Sequence, residues 1–399
     1  MKILDIRIRE REDSRGAPTI VVFVTTKGGA GEASIPSGKS TGMREAKTLA
    51  PKDAVNAGAQ IAAALAGHDF SNNRALDKTL IALDGTPLKK NLGGNVMLGV
   101  SLAFARVRAA AEGKALWEIL RAEYFPDLAA TPIPRIFANL VNGGVHAKSN
   151  LSLQEYLVVA KPYLSVSDVI AGLKKLYAIL GKMLAEKFPS ASVGIGDEGG
   201  YVADFRDDRE PLEILTKLLR VSHSDDSWFL GLDAAASTFF KNGSYRLGNE
   251  TLTAAELATR YASYAKTVPL LKTIEDPFAE DSLDDFAAFQ KAHPELRLIG
   301  DDLTVSNAAA ITAATARGAI KGVIVKPNQA GTVTETCDAI TAATAHGLDV
   351  IVSHRSGETP DPFLVHFAKA GNVYGVKIGA PIAHRLPRYE ELVRIYDTC

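Results

Sequence analysis

Leu298-Ile-Gly-Asp301-Asp302-Leu-Thr-Val305 is a short apolar run that ends in a glycine and two adjacent carboxylates. A run of this length and ending reads as a buried strand whose C-terminal tip carries acids into a site. Two neighbouring carboxylates repel unless a cation or a proton sits between them. The plainer reading is a strand followed by a helix capped at Ser306 or Asn307. Repetition favours the first. Gly231-Leu-Asp233 ends another apolar run, and Leu270-Leu-Lys-Thr-Ile-Glu275-Asp276-Pro277 a third. Val323-Ile-Val-Lys326-Pro327, Val350-Ile-Val-Ser-His354-Arg355 and Tyr374-Gly-Val-Lys377 end three more. From Asp233 through Glu275, Asp301, Lys326 and His354 to Lys377 the steps are 42, 26, 25, 28 and 23 residues, mostly filled by Ala-rich helical patterns. A (β/α)8 barrel uses about 31 residues per βα unit and keeps its chemistry at strand C-termini. The spacing therefore predicts six charged groups around one mouth of an α/β barrel.

The 399 residues are enough for that barrel and a second, smaller domain. With 45 basic and 46 acidic residues the net charge is -1, which gives no reason to expect a nucleic-acid partner. Cys337 and Cys399 are the only cysteines, too few for a disulfide framework and in keeping with a reducing cytoplasm. The first residues, Met1-Lys-Ile-Leu-Asp5-Ile-Arg7-Ile-Arg9, are charged too early for a signal peptide, and no apolar run approaches the ~20 residues of a transmembrane segment. The expectation is a soluble cytoplasmic protein.

Residues 2–9 and 19–26 read as strands of a hairpin or meander, joined by the turn Asp13-Ser-Arg15-Gly16. Gly31-Glu-Ala33-Ser-Ile-Pro36-Ser37-Gly38-Lys39-Ser40-Thr41-Gly42 ends like a phosphate-binding loop. Ala33 stands where that motif needs its first glycine, however, so a hydroxyl-rich lid is the better reading and a nucleotide-hydrolysing protein the worse. Helical patterns run over 43–65 (interrupted near Pro51), 73–83 and 96–120. Residues 1–125 thus form an N-terminal α+β domain, and Thr131-Pro-Ile-Pro134 marks the passage to a barrel domain over 126–399. That domain opens with Asn142-Gly-Gly-Val-His146-Ala147 and Gln154-Glu155 before an apolar strand. A helix over 166–188 follows, then Ser192-Val-Gly-Ile-Gly196-Asp197-Glu198-Gly199-Gly200.

Acids from separate strands, Asp233, Glu275 and Asp301, suit a hard oxygen-seeking cation such as Mg2+; no His pair or cysteine cluster has the spacing of a zinc site. A lysine crowded by Mg2+ and a second ammonium has its pKa lowered and can serve as a base, which makes Lys326 and Lys377 candidates. Arg355 reads as a clamp for phosphate or carboxylate, or alternatively as an ion-pair partner of Glu358. A metal triad, a perturbed lysine, an anion clamp and a carboxylic acid together suit removal of a proton beside a carboxylate, followed by loss of a β-leaving group.

Along nearly its whole length the chain resembles the enolases, which dehydrate 2-phosphoglycerate. The matching segments include Asp13-Ser-Arg-Gly-Ala-Pro-Thr19, Pro36-Ser-Gly-Lys-Ser-Thr-Gly42, Asn142-Gly-Gly-Val-His-Ala147, Gly196-Asp-Glu-Gly-Gly200, Gly300-Asp-Asp-Leu-Thr304, Ser353-His-Arg-Ser-Gly-Glu-Thr359 and Lys377-Ile-Gly-Ala-Pro381. The resemblance implies a C-terminal (β/α)8-type barrel with a ββαα start, preceded by an N-terminal α+β domain that carries a mobile lid. It implies two Mg2+ per site, the first held by Asp233, Glu275 and Asp301, the second by Ser40 with the substrate phosphate. Lys326 would be the base at C2. Glu198, with Glu155 beside it, would assist hydroxide departure. Lys377 would stabilise the enediolate and bind the carboxylate, and Arg355 and Ser356 would bind phosphate. His146, Gln154 and His354 would line the pocket. The products and substrates would be 2-phosphoglycerate and phosphoenolpyruvate, in glycolysis and gluconeogenesis, and the assembly a homodimer or homo-octamer. The chain departs from the resemblance at Lys39 (Ala), Thr238 (Glu) and Ala383 (Arg). The alternatives are a divergent relative that dehydrates another phosphorylated or acid-sugar substrate, and a binding role on another protein or at a cell surface.

Overall fold

The computed structural model describes residues 1–39, 42–129, 132–163, 165–189 and 193–397. The chain begins as an antiparallel meander of β1 (Ile3–Glu12), β2 (Pro18–Thr26) and β3 (Gly29–Ile35), followed by α1 (Pro51–Leu65), α2 (Asn73–Asp84), α3 (Gly94–Ala111) and α4 (Leu116–Tyr124). Ile20, Val22 and Val24 alternate along β2 and are buried, as the two-residue period of a strand dictates. α3 lies against β2 and β3. A Cβ at Gly99 would meet Val22 Cγ2 at 2.3 Å, so a bare glycine lets the helix backbone come down onto the sheet.

Three expectations are corrected here. The hairpin has a third strand, β3, which takes the front of the stretch read as a loop. The helix expected over 43–65 starts only at Pro51, whose fixed φ suits a first helical turn. The helix expected over 96–120 is two helices, because Gly113 turns the chain at φ 63° after Glu112.

The rest of the chain runs in order through β4 (Arg135–Asn142), β5 (Glu155–Ala160), α5 (Val166–Lys187), a short hairpin of β6 (Gly194–Ile195) and β7 (Tyr201–Val202), α6 (Glu210–Val221) and β8 (Trp228–Asp233). A small flap follows, β9 (Phe240–Lys241), β10 (Ser244–Leu247) and β11 (Glu250–Leu252). Helices and strands then alternate: α7 (Ala254–Thr267), β12 (Leu271–Glu275), α8 (Leu283–Ala292), β13 (Arg297–Gly300), α9 (Ala308–Ala316) and β14 (Gly322–Val325). The chain closes with α10 (Pro327–Ala330), α11 (Val333–Ala345), β15 (Asp349–Ser353), α12 (Phe363–Ala370), β16 (Gly375–Lys377) and α13 (Leu386–Tyr396).

Strands β4, β5, β8, β12, β13, β14, β15 and β16 form a ring that β16 closes by pairing with β4. β5 is antiparallel to both neighbours and every other barrel pair is parallel. The architecture is therefore α/β, a barrel with a ββαα start. The apolar runs are continuous because both faces are buried. Ile324 and Ile351 point into an inner cluster with Phe137, Val159, Phe229 and Ile299, while Val323, Val325, Val350 and Val352 join the outer core under the helices. Both readings of the stretch at 298–305 hold, since Asn307 caps α9 by accepting from the backbone of Ala309 and Ala310.

Candidate active site

Parallel strands in register deliver their last residues to one end of the barrel. Asp233 ends β8, Glu275 ends β12 and Lys377 ends β16; Asp301, Lys326 and His354 each follow their strand by one residue. Among the predicted site residues that the structure describes, all but Glu275 line one enclosed cavity, and Glu275 reaches it through Lys377. Ser40 lies outside the described residues.

On the parallel-strand side, Lys377 Nζ lies 2.9 Å from Asp233 Oδ2, 2.8 Å from Glu275 Oε1 and 3.3 Å from Glu155 Oε2. Burial alone would depress its pKa, but the surrounding Asp233, Glu155 and Glu275 outweigh it and hold the ammonium charged. Lys326 Nζ pairs with Asp301, with the same result: burial disfavours the charge, Asp301 restores it, and the pKa rises. Both lysines are thus held charged by the acids they touch. Asp301 and Asp302 split as adjacent acids must. Burial penalises the Asp301 charge, yet Lys326 keeps its pKa low, while Asp302 is pushed up to about 7 by burial and by Asp301. Asp276 fixes the pair by accepting from both backbone N–H groups, at 2.9 Å from Asp301 and 2.6 Å from Asp302. Gln329 Nε2 donates to Asp301 Oδ1 at 3.2 Å, and Ser306 ties Gln329 to the Lys326 backbone.

On the opposite side the chain has no βα period, because β4 and β5 run antiparallel. Glu155, at the start of β5, and Glu198, in the β6–β7 turn, are buried together with His146 and His354. His146 Nδ1 is 3.4 Å from Glu198 Oε1 and 3.8 Å from Glu155 Oε1, and His354 Nε2 is 3.6 Å from Glu198 Oε1. Asn139 Nδ2 donates to Glu198 Oε2 at 3.1 Å. Burial and the neighbouring Glu198 push Glu155 well up. Glu198 moves the other way: burial opposes its charge, but His146, His354 and Arg385 more than offset that. Burial also keeps the His354 imidazole neutral, so its support of Glu198 at neutral pH is that of an N–H dipole. The two carboxyls are thus pushed in opposite directions, Glu155 up and Glu198 down.

The third part is Arg355 and its neighbours, beside residues 37–39. Arg355 does not spend its guanidinium on Glu358, which takes the Arg355 backbone N–H at 2.9 Å instead. The guanidinium reaches Glu45 Oε2 at 3.1 Å and Asn328 Oδ1 at 2.9 Å. Gly38 lies so close that a Cβ there would come within 1.8 Å of Arg355 Nη2, which only glycine permits. Ser37 and Gly357 pair as an antiparallel bridge, and Ser356 Oγ accepts from the Lys39 backbone at 3.0 Å and from Arg15 Nη1 at 3.0 Å. Lys39 Nζ reaches Asp197 Oδ2 at 3.0 Å.

Glu45, Asp276, Asn328 and Arg385 were not singled out from the sequence. Only Asp276 left a signal, as the second acid of Glu275-Asp276-Pro277. The carboxylates also fit a hard cation. Asp233 is paired with the Gln154 amide, Nε2 to Oδ2 at 3.4 Å, and Gln154 Oε1 is a buried acceptor with no partner. An oxygen set with an unclaimed acceptor is what such an ion seeks. Among the described residues the one trio of possible ligands drawn within 4.8 Å of each other is His146, Glu155 and Glu198; the Asp233, Glu275 and Asp301 set is instead held on the two ammonium groups.

Comparison with known proteins agrees with this geometry. The family description "Enolase, N-terminal domain" matches residues 3–120 and "Enolase, C-terminal TIM barrel domain" matches residues 129–399. The chain is 36% identical to the protein named Enolase of Methanocaldococcus jannaschii, with 99% of this chain and 95% of that one covered. It is 37% identical to the Enolase of Methanopyrus kandleri, covering 99% and 96%. For the Enolase of Campylobacter jejuni subsp. doylei the identity is 34%, covering 99% and 97%. With strand-end acids, two lysines and Arg355 around one barrel mouth, and with both family descriptions matched in order, the chain belongs to the enolase family.

Proposed function

We propose that this protein is a phosphopyruvate hydratase, a hydro-lyase that interconverts 2-phosphoglycerate and phosphoenolpyruvate. The observation that carries the reading is that a lysine (Lys326) and two buried carboxyls (Glu155 and Glu198) line the same cavity as Arg355. A base and an acid on the walls of one site are what elimination of water across a C–C bond requires.

Arg355 and Ser356 bind the phosphate, and Lys377 meets the substrate carboxylate. Lys326 takes the proton from C2. Glu198 hands the C3 hydroxyl a proton drawn from the pair it forms with Glu155, and the hydroxyl leaves as water. His146, Gln154 and His354 shape the pocket around these groups. Two Mg2+, one held by Asp233, Glu275 and Asp301 and one by Ser40 with the phosphate, would neutralise the substrate carboxylate and release Lys326 from Asp301.

Residues 1–125 act as a capping domain with a lid loop over the barrel of residues 126–399. The contacts of Ser37 with Gly357 and of Glu45 with Arg355 support that division. A role in glycolysis and gluconeogenesis, a cytoplasmic location and a homodimer or homo-octamer belong to the same proposal, supported by family membership. No helix among the described residues is long and apolar enough to cross a membrane.

The test is ultraviolet absorbance of 2-phosphoglycerate with the full chain and Mg2+. Growth of the conjugated enol phosphate signal, abolished by chelator and restored by Mg2+, is expected. A folded, metal-loaded protein with no signal would overturn the reading and turn attention to related hydroxy acids.

A further inference from the structure

Arg385 belongs to a short helical turn, Ala383–Arg385, just before α13, and its side chain is fully buried. Its Nη2 donates to the carbonyls of Asp197 at 3.0 Å and Ser356 at 2.8 Å, and its Nη1 to the carbonyl of Arg355 at 2.9 Å. Nη1 also lies 2.7 Å from His354 Nδ1. A guanidinium has only donors and stays protonated inside proteins. The histidine nitrogen that meets it must therefore offer a lone pair, because a proton there would set two N–H groups against each other.

We infer that Arg385 is a positioning residue: it fixes His354 as the neutral, Nε2-protonated tautomer, so that the ring serves as a hydrogen-bond donor on the Glu198 side of the cavity. Two observations point the same way. His354 Nε2 is buried, has no hydrogen-bond partner among the described residues and faces Glu198 Oε1 at 3.6 Å, so its N–H is available to a substrate oxygen that enters between them. The same guanidinium also holds the carbonyl of Asp197, next to Glu198, together with the carbonyls of Arg355 and Ser356. One side chain thus sets the registry between the loop that carries the acid and the loop that carries the anion clamp. A donor fixed at that point meets the C3 hydroxyl as it departs, and it does so without the reorganisation that a freely rotating imidazole would need. The catalytic consequence rests on the role proposed for Glu198; the tautomer does not.

The experiment uses the full chain labelled with nitrogen-15 histidine, with the His354 resonances assigned by loss in His354→Gln. Long-range proton–nitrogen correlation spectra at neutral pH are expected to show Nε2 protonated and Nδ1 bare. A His354 protonated on Nδ1, or on both nitrogens, would overturn the inference, and this result needs no Arg385 variant to fold. In Arg385→Gln the tautomer signals should become mixed, and kcat for 2-phosphoglycerate should fall about tenfold to a hundredfold with KM within about threefold. Arg385→Lys, which keeps a charged donor, should recover part of the loss. A pure Nε2–H tautomer in Arg385→Gln, or a loss confined to KM, would contradict the assignment. If the wild type shows the tautomer but does not turn over 2-phosphoglycerate, the functional reading falls and the positioning of His354 stands.

Discussion

At the ends of β8, β12 and β16 and just beyond β13 and β14, the buried acids Asp233, Glu275 and Asp301 each have an ammonium against them. At the start of β5 and in the β6–β7 turn, Glu155 and Glu198 have each other and two imidazoles, with Lys377 touching Glu155, at 3.3 Å. Burial is equally deep on both sides. Where ammonium meets acid, attraction offsets the desolvation cost for Lys326, Lys377 and Asp301, while Glu275 is still pushed well up by burial and by Asp233. Where the two carboxyls meet, Glu155 is pushed up and Glu198 is held down. In the proposed reaction the first side would hold the metal and the base, and the second would supply the proton to the leaving group. The fold explains the division. Parallel strands repeat the same backbone register and put one charged residue after another at the rim. The antiparallel β4–β5 start interrupts that repeat and lets two acids converge.

The largest expected effect tests the charged side. Lys326→Ala should lower turnover of 2-phosphoglycerate by roughly 10²–10⁴, the usual contribution of a positioned proton acceptor. Turnover within a factor of about two of wild type would remove Lys326 from the mechanism. A smaller effect asks whether burial without a countercharge behaves as described. Asp77 of α2 is fully buried against α11, where its Oδ2 accepts from the Thr334 backbone at 2.8 Å and its Oδ1 has no partner. Burial raises its pKa to about 6, against the weaker pull of hydrogen bonds from Ser101 and Thr334. The folded state then binds the proton more tightly than an unfolded chain with an ordinary value near ~3.9. Stability is fully present below ~4 and declines as pH rises toward about 6, by on the order of 3 kcal/mol. Asp77→Asn should remove that decline in denaturant melts at pH 4 and pH 7 and leave turnover alone. A stability difference independent of pH would contradict the account. The smallest effect concerns Lys39, half-exposed in its pair with Asp197. Lys39→Ala should change stability by less than about 1 kcal/mol, with any change in KM disappearing at high salt. A large, salt-independent loss would give Lys39 a direct role in the site.

The charged side was legible in the sequence because a local signal, an apolar run ending in an acid or a lysine, recurs at the period of the fold. Asp233, Glu275, Asp301, Lys326, His354 and Lys377 could each be named from that recurrence. Glu155, Glu198, His146 and Gln154 lie outside that recurrence, since the ββαα start has no period; the glycine-flanked Asp197-Glu198 and the Gln154-Glu155 pair before a strand stood out locally, and the resemblance to a family assigned their roles. Glu45 and Arg385 escaped both routes. Each acts on a residue distant in sequence, Glu45 on Arg355 and Arg385 on His354, and nothing beside them announces the contact. Which acid each lysine touches was not legible either. Spacing shows which charges share a mouth, but which acid touches which ammonium decides the direction of a pKa. The break between α3 and α4 depended on one glycine at positive φ inside a sequence that otherwise keeps a helical pattern.

The division of labour between the two sides is tested most directly by exchange of the C2 proton of 2-phosphoglycerate in deuterated water, followed by NMR with Mg2+ present. Glu198→Gln should lose net dehydration yet still exchange the C2 proton, because Lys326 and the charged side remain. Lys326→Ala should lose both. Exchange abolished in Glu198→Gln, or preserved in Lys326→Ala, would contradict the assignment of proton removal to one side of the mouth and proton donation to the other.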